Sequence, residues 1–171
     1  NVGADLTRLE RFDEAKEAAE RAVAIFERLG DAREVAIARG SIARMAMRRK
    51  AWPSALETLE AVLPVLEKAG DRYEAANVFH DLGEVHENLG DATKALQWFE
   101  RASRAAEKLG SVHVQVGALA GTARVRLRAG EAGRAMDAAH RAVLLLKSLV
   151  GGLGEEQGAG GTAAGAAAGP D

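Results

Sequence analysis

Cysteine is absent from this 171-residue chain, which excludes disulfides, thiolate zinc sites and thiol catalysis. Aromatic residues are scarce as well, at 4%, although 47% of the chain is apolar. The apolar load is therefore mostly Ala, Leu and Val, which suits close helix–helix packing better than a β-sandwich. Neither charge sign dominates. A formal net charge of -2 offers no global attraction to nucleic acid or to anionic membranes. No apolar run approaches the roughly 20 residues of a membrane span, and no signal peptide precedes the first helix. These absences leave an all-helical, soluble, cytoplasmic protein as the expectation.

What the chain does have is regular punctuation. Phe26-Glu-Arg-Leu-Gly30-Asp31, Leu66-Glu-Lys-Ala-Gly70-Asp71, His86-Glu-Asn-Leu-Gly90-Asp91, Ala106-Glu-Lys-Leu-Gly110-Ser111 and Arg126-Leu-Arg-Ala-Gly130-Glu131 share one form and fall on a 20-residue ruler. Gly closes a helix in the left-handed conformation because it has no Cβ to clash. An Asp or Ser after it can accept from the free N–H groups of the next helix. The marks near 10 and 50 carry Glu10 and Lys50 instead, and Trp52-Pro53 supplies a different helix start at the latter. Between the marks apolar residues recur near the 3.6 period, as in Phe12, Ala15, Ala18, Ala19, Ala22, Val23, Ile25 and Phe26. The pattern predicts helices at about 1–9, 12–29, 32–49, 53–69, 72–89, 92–109, 112–129 and 132–150. Two-residue connections make neighbours antiparallel, and Pro64 is expected to kink the fourth helix.

Self-similarity is stronger at 40 residues than at 20, so the unit is a helix pair. That period aligns Ile42-Ala43, Leu82-Gly83 and Thr122-Ala123 in first helices, and Ala55, Ala95 and Ala135, then Leu59, Phe99 and Ala139, in second helices. Small residues let helices approach and larger ones fill the space between hairpins. Phe79, Leu82, Gly83, His86, Ala95, Phe99 and Ala102 hold the spacing of a tetratricopeptide repeat. The chain resembles that family over roughly residues 1–150, in the long-helix form similar to kinesin light chains, spindle-orientation adaptors and bacterial multidomain regulators. The resemblance implies a right-handed α-solenoid of about 3.5 repeats, at about 1–30, 31–70, 71–110 and 111–150. Asn1 aligns midway along a first helix, so the first repeat is expected to be incomplete and the chain a fragment of something longer. From Gly151 to Asp171 the Gly/Ala-rich composition predicts a flexible tail. The last helix is apolar on more than one face, which suggests that the tail, a second copy or a partner covers Leu145, Leu146 and Leu149.

Chemistry is sparse. His80, Glu84 and Glu87 share a helical face on which a divalent ion is conceivable, but no second His joins them and His86-Glu87 lacks the downstream His of a zinc protease. A polar groove lined by His80 is the better reading, with His86 in a core slot usually held by Tyr. No serine sits in a nucleophile elbow and no Gly-rich phosphate loop occurs. No enzyme, metal or cofactor is expected.

In tetratricopeptide arrays the first helices line a concave face. The resemblance places Thr7 and Arg8 there, then Ile37, Ser41, Arg44, Met47 and Arg48, then Asn77, His80, Asp81, Glu84, Glu87 and Asn88, and lastly Gly117, Arg124, Leu127 and Arg128. This groove runs basic, acidic, basic. Arg donates two hydrogen bonds to a carboxylate at once, and Asn can grip a peptide backbone. The expected partner is a peptide or protein segment of mixed charge; the alternative is that the charges pair with one another across repeats. At the level of function the reading is a protein-interaction scaffold within a larger regulator or adaptor. A ligand- or peptide-sensing regulatory domain is the alternative, and self-association through the terminal helices a further one. Neither nucleic acid nor membrane is an expected partner.

Overall fold

The computed structural model describes the backbone of residues 2–159 and the side chains of residues 13–150. Seven helices lie within it: α1 (Val2–Leu29), α2 (Ala32–Arg48), α3 (Trp52–Ala69), α4 (Arg72–Asn88), α5 (Ala92–Leu109), α6 (Val112–Arg128) and α7 (Ala132–Ala159). The turns between them are built alike. At Gly30 the N–H donates to the Glu27 carbonyl while the Asp31 N–H reaches back to Phe26, and the same two bonds recur at Gly70, Gly90, Gly110 and Gly130. This is the 6→1 and 5→2 closure of a helix C-terminus. Lys50 completes the series without glycine, at a φ of 59°, and Pro53 stands in the first turn of α3. Asp31, Asp71 and Asp91 then cap the following helices by accepting from the N–H groups of Glu34, Glu74 and Lys94. Ser111 makes no such side-chain bond.

Both ends differ from the periodic expectation. No break separates 1–9 from 12–29, because Glu10-Arg11 carries neither glycine nor a cap and helix propagation simply continues. α7 likewise runs beyond Val150 to Ala159, through the start of the expected tail. Residues 160–171 lie outside the described residues. α3 remains one helix through Pro64.

Each hairpin packs on its neighbours through size complementarity. Phe99 on α5 is fully buried, and a Cβ on Gly83 of α4 or Gly121 of α6 would stand 2.5 and 2.4 Å from its ring. The ring is thus held between two helix backbones, which fixes how closely α4, α5 and α6 approach. Leu59, Val62 and Leu66 play the filling role in α3, and His86 is buried in the core as its repeat position requires. The backbones of α2 and α4 and of α4 and α6 approach closely, whereas among the described residues those of α1, α3, α5 and α7 do not approach one another. Even-numbered helices close together and odd-numbered helices splayed apart put the former on the inside of the curve. The expected groove residues from Ile37 to Arg128 lie on α2, α4 and α6, whereas Thr7 and Arg8 fall in α1 with side chains outside the described residues.

Candidate interaction groove

The inner face is tied together by ion pairs between successive even helices. Arg44 of α2 donates to Asp81 of α4 at 3.3 Å and to the Ser41 hydroxyl at 3.2 Å. Arg124 of α6 donates through Nε and Nη2 to the two oxygens of Glu87 at 3.2 and 2.9 Å. Arg128 reaches Glu87 at 3.0 Å, and Arg124 lies 3.7 Å from Glu84. Arg44–Asp81 and Arg124–Glu87 are each 37 residues apart, one repeat less one helical turn, so a single register rule generates both. Asp81 and Glu87 are buried, and burial makes such partners obligatory. The expected basic, acidic and basic blocks are therefore joined in cross-repeat pairs rather than presented separately.

The other groove residues sort by what their polar atoms already do. Among the described residues Arg48 is exposed and has no ion-pair partner. Asn77 is half-buried. Asn88 spends its amide donor on the Glu84 carbonyl at 2.8 Å, which leaves it less of a backbone clamp than expected. The Arg8 side chain lies outside the described residues. His80 sits 3.6 Å from Asp81 and packs against Phe99 with ring centroids 5.8 Å apart. Burial opposes its protonation, but the carboxylates of Asp81 and Glu84 outweigh burial and Arg124 together and hold its pKa above the ordinary 6.5. Gly117 makes room for this ring, since a Cβ there would meet Nε2 at 2.9 Å. Donor atoms of His80, Asp81 and Glu84 come within 4.8 Å of one another. This differs from the metal-like trio His80, Glu84 and Glu87 that helical spacing suggested, because Glu87 turns to the arginines of α6. Both acids of the closer trio also hold arginines.

Above α2 and α4 the face opens into a cavity of about 320 Å³ lined by Arg44, Met47, Arg48, Trp52, Asp81, Glu84 and Asn88. Trp52 was not expected there. Its signal was read only as a helix start, although a half-buried Trp beside an unpaired Arg is an amphipathic contact surface. At the far end, Leu146 and Leu149 of α7 are 46% and 47% exposed. Leu145 is half-buried on the same side as Ala135, Ala138 and Ala142, so it belongs to the α6 contact rather than to the open face.

The tetratricopeptide repeat sequence profile matches residues 1–68 and again 34–108. The chain belongs to the tetratricopeptide repeat family. Several solved structures superpose on it. BtubC (BKLC) from P. vanneervenii does so with a TM-score of 0.72 at 19% identity, over 96% of this chain and 63% of that one. The TPR domain of Arabidopsis FLU gives 0.62 at 14%, over 66% and 95%. A putative kinesin light chain from Podosopora anserina with nearly identical TPR-like repeats gives 0.62 at 20%, over 82% and 69%. At these identities the likeness is one of fold. The tetratricopeptide chain spans 63% of the length of the BtubC structure it matches. No curated protein matches it. Tetratricopeptide arrays are generally protein–protein interaction scaffolds and typically non-catalytic. Among the described residues no helix is long and apolar enough to cross a membrane.

Proposed function

We propose that the face formed by α2, α4 and α6 binds a segment of another polypeptide, as the interaction part of a larger cytoplasmic regulator or adaptor. The observation that supports this reading is the cavity over α2 and α4, where Arg48 stands unpaired among the described residues beside Met47 and Trp52. Asp81 and Glu87 are already neutralised by Arg44, Arg124 and Arg128. The surplus charge of the face is then positive, and a carboxylate next to an apolar side chain fits it. Arg48→Glu tests this more cleanly than a double reversal, because Arg44→Glu also strips Asp81 of its partner. Partners captured from a cytoplasmic extract by the wild type are expected to bind R48E about tenfold more weakly by calorimetry. Equal affinity for the two proteins would remove Arg48 and this cavity from the reading.

A second reading, self-association, draws on the end helices. Met136, Val143, Leu146 and Val150 of α7 are 71%, 46%, 46% and 68% exposed and share one face with Ala139. Their alternating three- and four-residue spacing is that of a helix-pairing seam. α1 carries a matching but smaller row, Ala15, Ala18, Ala22, Ile25 and Leu29. Large against small repeats the logic of Phe99 on its glycines, so a second copy adding α1 to α7 is the fitting occupant. Sedimentation velocity across concentration is expected to show association that Leu146→Glu abolishes; a concentration-independent monomer removes this reading.

A further inference from the structure

The backbones of α3 and α5 stand apart, bridged by the Arg101–Glu67 ion pair, and the space between them is a furrow of about 740 Å³ on the side of α4 opposite the groove. Ala75 and Phe79, which line it, lie about half a helical turn around α4 from Asn77, Asp81 and Glu84. The repeat supplies an internal control. The equivalent furrow between α1 and α3 holds about 320 Å³. There Ala32, Ala61 and Pro64 stand one 40-residue repeat before Arg72, Arg101 and Arg104. One repeat later Val112, Arg141 and Leu144 occupy those positions. The arginines at 72 and 104 are thus particular to this furrow, whereas Lys108 has Lys68 one repeat earlier.

Its charges are available. Of the two acids in the lining, Glu67 is held by Arg101 at 3.1 Å, and Asp71 caps α4 and pairs with Arg33 at 2.5 Å. Arg101 is itself fixed, its guanidinium carbon 4.2 Å from the Phe79 ring centroid and 4.6 Å from that of Trp98. Arg72 and Lys108 have no ion-pair partner among the described residues. Arg104 holds only Glu100, in an exposed pair on its own helix, and such pairs contribute little. Three cations therefore ring an apolar floor of Ala75, Phe79, Ala105 and Leu109.

We propose that this furrow is a second docking site, for an acidic polypeptide segment that seats an apolar side chain on Ala105 and Leu109 and its carboxylates on Arg72, Arg104 and Lys108. A peptide fits better than a nucleic acid. The chain as a whole is at -2, and the floor rewards an apolar side chain that a phosphodiester chain does not offer.

The test uses the full chain, ¹⁵N-labelled, and a capped peptide of sequence Glu-Glu-Leu-Glu-Glu-Phe-Glu-Glu, with a counterpart in which every Glu is Gln. The acidic peptide is expected to saturate, with amide shifts centred on Arg72, Ala75, Arg104 and Lys108, and the Gln peptide to bind at least about tenfold more weakly. The double variant R72E/R104E, changed only at exposed positions, is expected to lose binding while its circular dichroism and melting stay those of the wild type. R48E is expected to bind this peptide normally, which separates the furrow from the groove. Absence of binding up to about 1 mM, equal binding of the Gln peptide, or shifts centred on α2 and α6 would each overturn the proposal. So would equal occupation of the furrow by a single-stranded thymidine oligonucleotide.

Discussion

Individual residues at the turns set where each helix begins, and their contributions separate cleanly because the turns share one backbone shape. Asp91 accepts from the Lys94 N–H, a bond that also holds its own carboxyl below the usual carboxylate range. Asp91→Ala is expected to lower stability in urea denaturation, because the cap is lost. Ser111→Ala should leave stability nearly unchanged, because the hydroxyl makes no capping bond. The two histidines of α4 offer a second residue-scale comparison. Burial, with a smaller effect of Lys94, pushes His86 below the ordinary 6.5, whereas the carboxylates around His80 raise it above that value. The neutral His86 is favoured by folding, so its effect is a destabilisation that sets in as pH falls below 6.5 and the unfolded chain gains the proton first. His80 acts oppositely. Its stabilisation is complete below 6.5 and is lost as pH rises through its raised folded value. An NMR titration of the imidazole Hε1 signals is expected to place His80 above His86; the reverse order would contradict the buried arrangement of both rings.

Whole helices are positioned by the contrast between large residues on odd helices and absent side chains on even ones. Gly121→Ala removes a helix-weakening glycine, a change that in isolation stabilises by roughly 0.5–1 kcal/mol. Here the new methyl meets the Phe99 ring at 2.4 Å, and Phe99 cannot retreat because Gly83 backs its other side. Net destabilisation of about 1–3 kcal/mol is expected, read as a lower melting temperature, and Gly83→Ala should behave alike. At Gly133, where a Cβ meets nothing within 4 Å, the same substitution is expected to be neutral or stabilising. The sequence marked position 83 as a small residue through its alignment with Ala43 and Ala123. It did not mark Gly121, whose repeat equivalents are Ser41 and Asp81, because its smallness answers one ring on a neighbouring helix.

The whole molecule is a row of hairpins in which each element contacts only those near it in sequence, so stability should grade along the row. Among the described residues α1 buries none and α7 only Ala135, Ala138 and Ala142, whereas α4 buries ten. Native-state hydrogen exchange is expected to show α4 and α5 opening with the highest free energy and α1 and α7 with the lowest. Uniform protection from end to end would instead indicate a single cooperative unit. The same gradient bears on function, since both proposed docking surfaces are anchored on α4, the most rigid element.

Much of this array was written in local sequence. The glycine ruler, the aspartate caps and the 40-residue period determine helix, turn and hairpin through contacts within a few residues. The core placement of His86 followed from the resemblance to the tetratricopeptide family and not from these local signals. At Glu10 and beyond Val150 the same rules misjudged the ends, because a helix without a stop keeps adding bonds. Which charges remain free was a different matter. Arg44, Arg124 and Arg128 look identical to Arg48 in the sequence, and only the packing of α2, α4 and α6 decides that three of them are committed to buried carboxylates. The cationic furrow was equally hidden, since Arg72 and Arg104 lie 32 residues apart. Local rules act along one helix, but free charge and open space belong to the distances between helices, and those exist only once the hairpins have stacked.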